Sequence, residues 1–187
     1  LATGNTVVLK PSPFTPLATL AMGRLLAAVL PPGTLNVLSG GNEIGAQMSR
    51  HPLVRKLSFT GSVATGKQVA GAAAADLKRV TLELGGNDAA IVLDDADPAR
   101  LARGLLWGAF TNGGQICAGI KRVYVPDALH DAVVEALGAA ARRIKLGHGL
   151  DASVQMGPLA TRPQFERVGE LLREAVAAGA RASSSGP

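Results

Sequence analysis

The sequence predicts an α/β protein with a parallel, doubly wound sheet. Short runs of β-branched and aliphatic residues recur along the chain, and stretches with apolar residues at helical spacing separate them. Turns rich in glycine or proline join the two kinds of segment. Alternating strands and helices imply crossover connections between parallel strands, and ligands of such sheets bind near the carboxyl ends of the strands.

The first half of the chain alternates four strands with three helices. Residues 6–9 form an uninterrupted aliphatic run, which is typical of a strand buried on both faces, and the prolines from Pro11 onward end it. The other strands are predicted over 35–38, 57–60 and 80–82. The helices are predicted over 17–30, 43–49 and 63–75.

The second half has two more strands and several helices. Asp97 and Pro98 begin a predicted helix that runs to about Phe110. A short helix is expected to open near Cys117. The remaining strands are predicted over 89–93 and 122–125, the remaining helices over 129–144 and 165–178, and a loop or truncated end over 182–187.

Composition excludes several classes of protein. With 187 residues, 47% of them hydrophobic and 18% charged, the chain suits one large globular domain or parts of two. No run of apolar residues is long enough for a transmembrane helix. The single cysteine excludes an intrachain disulfide and fits a reducing, cytoplasmic location. A start at Leu1, without Met and on the approach to a strand, suggests an internal piece of a longer protein.

The net charge of +5 does not indicate nucleic acid binding. The basic residues are scattered, and tyrosine and tryptophan occur once each, so no basic patch interleaves with aromatic residues. The charge therefore suits a solvated surface with some attraction for phosphorylated ligands.

The only cysteine, Cys117, is a candidate nucleophile. It lies in the segment 110–119, with the sequence FTNGGQICAG, among small residues. A thiolate in a small-residue turn that opens a helix is accessible to a substrate and is stabilised by backbone N–H groups. The alternative is a buried free cysteine that acts as a small hydrophobe.

Glu83 is a candidate general base. It stands in an apolar, strand-like run that ends in two glycines, Gly85 and Gly86. A carboxylate in such a run is either solvated at a strand edge or held in a site where it accepts a proton.

Two segments resemble the active-site signatures of the aldehyde dehydrogenase superfamily. Residues 82–86 have the sequence LELGG and residues 114–119 the sequence GQICAG, in the family's order and at its spacing. The resemblance covers essentially the whole chain. It implies a Rossmann-like coenzyme-binding domain, of which residues 1–84 are the later part, and an α/β catalytic domain, of which 85–187 are the earlier part. Both domains are then incomplete.

The resemblance implies NAD(P)-dependent oxidation of an aldehyde to a carboxylic acid. Cys117 would attack the aldehyde to give a thiohemiacetal, and the N–H of Cys117 would help to hold the oxyanion. Hydride transfer would leave a thioester, and Glu83 would activate the water that hydrolyses it. No metal is needed. A homo-oligomer is implied for the full-length protein, and the isolated piece is expected to be inactive because part of the oxyanion site lies outside it.

The resemblance also implies a coenzyme site. The turn after the third strand matches the family's coenzyme turn, and Lys10 matches the lysine that reaches the adenosine ribose. The implied cofactor-binding residues are Lys10, Ser12, Gly61, Ser62, Leu84 and Gln164. Pro13 stands where many NAD-using members have a glutamate that repels a 2′-phosphate, so NAD is the preferred coenzyme and NADP the alternative.

Two other functions compete with this interpretation. Residues 61–68, with the sequence GSVATGKQ, nearly match the phosphate-binding loop of nucleotide triphosphatases, but Gln68 replaces the hydroxyl that should bind magnesium. The other alternative is a catalytically inactive relative that is kept for assembly.

Overall fold

The computed structural model describes residues 1–182, and the predicted loop from residue 183 onward lies outside the described residues. The chain divides into two compact units, Leu1–Leu84 and Gly85–Pro187. The division falls where the sequence predicts a change of domain. The coenzyme-binding and catalytic roles of the two units stay predictions.

The first unit alternates strands and helices as predicted. Its strands are β1 (Val7–Leu9), β2 (Leu35–Val37), β3 (Lys56–Thr60) and β4 (Arg79–Glu83). Its helices are α1 (Leu17–Ala27), α2 (Asn42–Arg50) and α3 (Val63–Ala74). β1 pairs with β2 and β3 pairs with β4, both in parallel. The parallel α/β class is therefore confirmed, with the strands of this unit hydrogen-bonded as two pairs.

Helix α1 ends three residues earlier than predicted. At its end the amides of Ala28 and Val29 bond to carbonyls three residues back, which tightens the last turn. The predicted helix extends to Leu30, but Pro31 disfavours helical geometry at the residue before it.

A buried lysine joins α2 to the turn before β4. The Lys78 side chain is only 2% exposed, and its Nζ donates hydrogen bonds to the carbonyl oxygens of Ser49 (3.0 Å) and His51 (2.7 Å). Carbonyls at the end of a helix have no partner within the helix, and a cation there also suits the helix dipole. Lys78 therefore caps α2 and fixes the path of the chain into β4.

The second unit has two strands and three helices within the described residues. The strands are β5 (Asp88–Ile91) and β6 (Ile120–Tyr124), which pair in parallel. The helices are α4 (Pro98–Phe110), α5 (Asp127–Ala141) and α6 (Arg162–Ala177). Most of the buried apolar side chains of this unit come from α4 and α5, among them Leu105, Leu106 and Val133. The Asp97 carboxylate caps α4 by accepting a hydrogen bond from the Ala99 amide at 2.9 Å.

The short helix predicted near Cys117 is wrong. A 3₁₀ turn over Thr111–Gly114 follows α4, Cys117 lies in the next turn, and β6 begins at Ile120. Asn112 and Gly113 have φ angles of 55° and 66° and so interrupt the right-handed path. The strand that follows starts two residues earlier than predicted, which leaves no room for a helix.

Within residues 1–182, every helix is too short or too polar to cross a membrane. The same part of the chain brings together no group of three or more His, Cys, Asp or Glu side chains that could hold a metal ion.

Candidate active site

The first part of the candidate site lies at the carboxyl end of the β3–β4 pair. The two strands run in register, so that Thr60 is opposite Glu83. The amide of Gly61 donates a hydrogen bond of 3.0 Å to the carbonyl oxygen of Glu83. Glu83, whose side chain is exposed, therefore lies at the same strand end as the predicted coenzyme turn.

The predicted coenzyme turn leads directly into α3. A Cβ at Gly61 would lie 2.5 Å from the end of the Phe59 ring, so glycine lets this ring lie against the turn. Ser62 is the N-cap, and its hydroxyl accepts a hydrogen bond of 3.2 Å from the Thr65 amide. The first amides of a helix have no partner within it, and together with the helix dipole they favour an anion. The turn thus suits a pyrophosphate group.

Leu84 has a packing role in this unit. Its side chain is half-buried and lies so close to Gly66 that a Cβ at Gly66 would come within 2.6 Å of a Leu84 methyl carbon. This contact lets the first turns of α3 approach the end of β4.

The same helix argues against the triphosphatase alternative. A phosphate-binding loop would need residues 61–66 as an open loop around the phosphates. Here α3 begins at Val63, and Gly66 is buried inside the helix. Only the turn at Gly61 and Ser62 stays outside the helix.

Lys10 and Ser12 follow β1, on the other strand pair of the first unit. The Lys10 ammonium donates hydrogen bonds to the carbonyl oxygens of Pro11 (2.9 Å) and Gly40 (3.2 Å), and so joins the ends of β1 and β2. The Ser12 hydroxyl accepts a hydrogen bond of 3.3 Å from the Phe14 amide. Both side chains thus have local partners at the carboxyl end of the β1–β2 pair.

Cys117 lies in the second unit and is exposed. The alternative of a cysteine buried as a small hydrophobe is therefore wrong. The thiol stands on a tight loop between α4 and β6, which we call the cysteine loop and define as residues 111–119. Three consecutive residues of this loop have positive φ angles, namely Asn112, Gly113 and Gly114. These conformations turn the chain sharply and favour Asn and Gly.

Two neighbours lie against the backbone of the cysteine loop. The Lys121 ammonium donates hydrogen bonds to the carbonyl oxygens of Ile116 (2.7 Å) and Cys117 (2.9 Å). Gly86 approaches the same carbonyl of Cys117, since a Cβ at Gly86 would lie 2.6 Å from its oxygen. The peptide groups around the thiol are thus held from two sides.

Gln115 links the cysteine loop to a distant segment. Its Nε2 donates a hydrogen bond of 2.7 Å to the carbonyl oxygen of Asn112, and its Oε1 accepts one of 2.8 Å from the amide of Ala160. Residues 157–160 are thereby held against the loop. Gln164 lies just beyond them, exposed in the first turn of α6, where the Thr161 hydroxyl caps its amide at 3.4 Å.

The structure thus groups the predicted residues by unit. Glu83, Gly61, Ser62 and Leu84 meet at one strand end in the first unit, and Lys10 and Ser12 lie at the other strand pair of that unit. Cys117 and Gln164 belong to the second unit. The convergence of Cys117 with Glu83 stays a prediction.

Sequence reasoning missed Gln115 and Lys121. Both residues stand beside Cys117 in the sequence, Gln115 inside the motif GQICAG, but a motif does not show which backbone groups a long polar side chain will reach.

Comparison with known proteins decides the family. The model of the aldehyde dehydrogenase family matches residues 1–187. The chain belongs to this family. Glutarate-semialdehyde dehydrogenase of Pseudomonas aeruginosa is 42% identical over 188 residues, which are 100% of this chain and 39% of the relative. The succinate-semialdehyde dehydrogenase GabD of Escherichia coli, named for NADP(+), has the same identity and coverage.

Solved structures agree with this family membership. A mutant of aldehyde dehydrogenase C from Pseudomonas syringae, in complex with NAD+ and octanal, superposes with a TM-score of 0.93 at 38% identity and covers 97% of this chain. This chain corresponds to 38% of that structure. It therefore spans well under half the length of the aldehyde dehydrogenases that it matches.

The close contact between Gly86 and the cysteine loop gives a testable prediction. In the full-length protein, Gly86→Ala should lower the free energy of unfolding by about 1–3 kcal/mol, because its methyl group would meet a backbone oxygen that cannot move without the loop. Gly85→Ala is the matched control, since a Cβ there meets no atom within 4 Å. Chemical denaturation measures both. Equal effects of the two substitutions would contradict the contact.

Proposed function

We propose that the full-length protein oxidises an aldehyde to a carboxylic acid with NAD(P)+. The observation that carries the proposal is the exposed Cys117 on a turn whose sequence resembles the family's active-site signature. The second residue that supports the proposal is Glu83, the last residue of β4, which lies beside the proposed coenzyme turn. Relatives named as semialdehyde and betaine aldehyde dehydrogenases support the reaction class.

Cys117 is the proposed nucleophile. Its thiolate attacks the aldehyde carbon, a C–S bond forms, and the carbonyl oxygen becomes the oxyanion of a thiohemiacetal. The N–H of Cys117 donates a hydrogen bond to that oxygen. An exposed position on a loop makes the sulfur accessible to a small substrate.

The coenzyme site is proposed at the end of β3. The N-terminal amides of α3 and the turn at Gly61 and Ser62 suit the pyrophosphate, and Lys10 is assigned to the adenosine ribose. Ser12, Leu84 and Gln164 complete the proposed contacts. Bound there, the nicotinamide supplies a hydride acceptor, which removes two electrons from the substrate.

Glu83 is the proposed base for the second half of the reaction. Its carboxylate takes a proton from water, the resulting hydroxide attacks the thioester carbon, and the C–S bond breaks to release the acid and restore the thiolate. Two residues separate Glu83 from Gly86, which approaches the Cys117 carbonyl. This short separation supports assigning both segments to one reaction.

NAD is the preferred coenzyme. A relative named for NADP(+) and a structure with NAD+ both match the chain. Pro13 occupies the position where a glutamate would repel the 2′-phosphate of NADP. NADP is therefore the alternative coenzyme. We also propose a cytoplasmic location, which the exposed free thiol favours, and a homo-oligomeric full-length protein, which the family resemblance implies.

A panel of aldehydes with NAD+ and NADP+ tests the proposal on the full-length protein. Aldehyde-dependent formation of reduced nicotinamide is expected, and prior alkylation of Cys117, located by peptide mapping, should abolish it. NAD+ should also slow that alkylation. If no aldehyde is oxidised with either coenzyme and NAD+ does not change the rate of Cys117 alkylation, the result would support an inactive structural relative instead.

A further inference from the structure

One cation holds two successive carbonyl groups of the cysteine loop. The Lys121 Nζ lies 2.7 Å from the carbonyl oxygen of Ile116 and 2.9 Å from that of Cys117. Hydrogen bonds from an ammonium group are shorter and stronger than those between neutral groups. Lys121 is therefore the strongest donor that these two carbonyls have within the described residues, where the Gly119 amide also reaches Ile116 at 3.2 Å.

This contact also fixes the direction of an N–H group. A trans peptide is planar, so its C=O and N–H bonds point in opposite directions. The carbonyl of Ile116 and the amide of Cys117 belong to one peptide group. Because Lys121 holds that carbonyl on its own side, the amide of Cys117 must point to the opposite side.

The loop needs such a restraint because its own sequence is permissive. Gly113 and Gly114 adopt positive φ angles before the peptide in question, and Gly119 follows it. Glycine has access to more backbone conformations than other residues, so the glycines on both sides of residues 115–118 leave the path of this segment less restricted. The direction of the Ile116–Cys117 peptide therefore depends on the groups that hold its carbonyl. Within the described residues, Gly86 approaches only the Cys117 carbonyl, and the Ile116 carbonyl accepts one other, longer hydrogen bond, from the Gly119 amide at 3.2 Å.

We propose that Lys121 is a positioning residue that orients the Cys117 N–H toward the oxyanion. This proposal rests on the proposed aldehyde oxidation, in which that N–H stabilises the thiohemiacetal. Lys121 acts through the Ile116–Cys117 peptide group and leaves the attack itself to the thiol.

The test replaces Lys121 in the full-length protein. Lys121→Met removes both hydrogen bonds and should lower kcat about 10- to 100-fold, somewhat less than the complete loss of an oxyanion donor. The KM of the coenzyme should stay unchanged, because the Lys121 ammonium bonds to Ile116 and Cys117 and to none of the proposed coenzyme-binding residues. Lys121→Arg, which keeps a cation with several donors, should recover most of the lost kcat. Lys145→Met is the matched control, since it removes the same charge from the same unit, and its Nζ bonds to the Ser153 hydroxyl.

Alkylation of Cys117 by iodoacetamide separates orientation from thiol activation. This reaction forms no oxyanion, so its rate in the Lys121→Met variant should equal or exceed the wild-type rate while kcat falls. If the alkylation rate and kcat of Lys121→Met fall together, the proposal is overturned, because Lys121 would then act on the reactivity of the thiolate. If Lys121→Met does not fold, Lys121→Gln, which keeps an uncharged amide donor group, should show the same pattern with a smaller loss.

The outcomes also separate this proposal from the proposed function. An active wild type with Lys121→Met equal to Lys145→Met overturns the role of Lys121 alone. A wild type without aldehyde oxidation overturns the function on which that role rests.

Discussion

Replacing Cys117 by alanine in the full-length protein should lower kcat about 10⁴-fold or more. The substitution removes the sulfur that forms the covalent intermediate, and loss of a nucleophile is among the largest single effects on an enzyme. Steady-state formation of reduced nicotinamide measures the loss. Coenzyme affinity, measured by calorimetry, should be unchanged because Cys117 is not among the proposed coenzyme-binding residues.

Cys117→Ser is the informative companion to this variant. It keeps the size and polarity of the side chain, but a serine hydroxyl without an adjacent base is a weak nucleophile, so a similarly large loss is expected. A kcat of the alanine variant within tenfold of the wild-type value would contradict the covalent mechanism.

Glu83→Gln should separate the two halves of the reaction. The steady-state kcat should fall about 10²- to 10⁴-fold, because the amide cannot take a proton from water. The first turnover should still form reduced nicotinamide rapidly, since formation of the thioester does not use this base. Rapid-mixing kinetics should therefore show a burst, and intact-protein mass spectrometry should show the acylated enzyme.

Glu135→Gln is the matched control for Glu83→Gln. Glu135 is exposed on α5, and its replacement makes the same chemical change without affecting the β4 strand end. A loss of the first turnover equal to the steady-state loss in Glu83→Gln would show that Glu83 acts before the thioester forms, which contradicts the assigned role.

The regular elements could be predicted because their signals are local. The aliphatic run at 6–9 and the Asp97–Pro98 pair each specify a strand or a helix start within a few residues. Parallel pairing followed from the alternation of strands and helices. The change of unit after Leu84 coincides with the two glycines that follow it.

The structure around the thiol could not be predicted from the same signals. The expected helix near Cys117 fails because Asn112, Gly113 and Gly114 adopt left-handed conformations, which a small-residue pattern permits but does not require. The contacts of Lys121 and Lys78 with backbone carbonyls depend on where long side chains end in space. Residue type shows that they are cations, and only the folded chain shows which oxygens they bind.

The side chain of Gln115 has a thermodynamic consequence for the cysteine loop. Because its amide group bonds to Asn112 within the loop and to Ala160 outside it, opening of either segment breaks a bond that the other shares. The two segments are therefore energetically linked, and whatever restricts the motion of residues 157–160 also lowers the conformational freedom around the sulfur. A substitution within residues 157–160 would in this way alter the mobility of a thiol that it never touches.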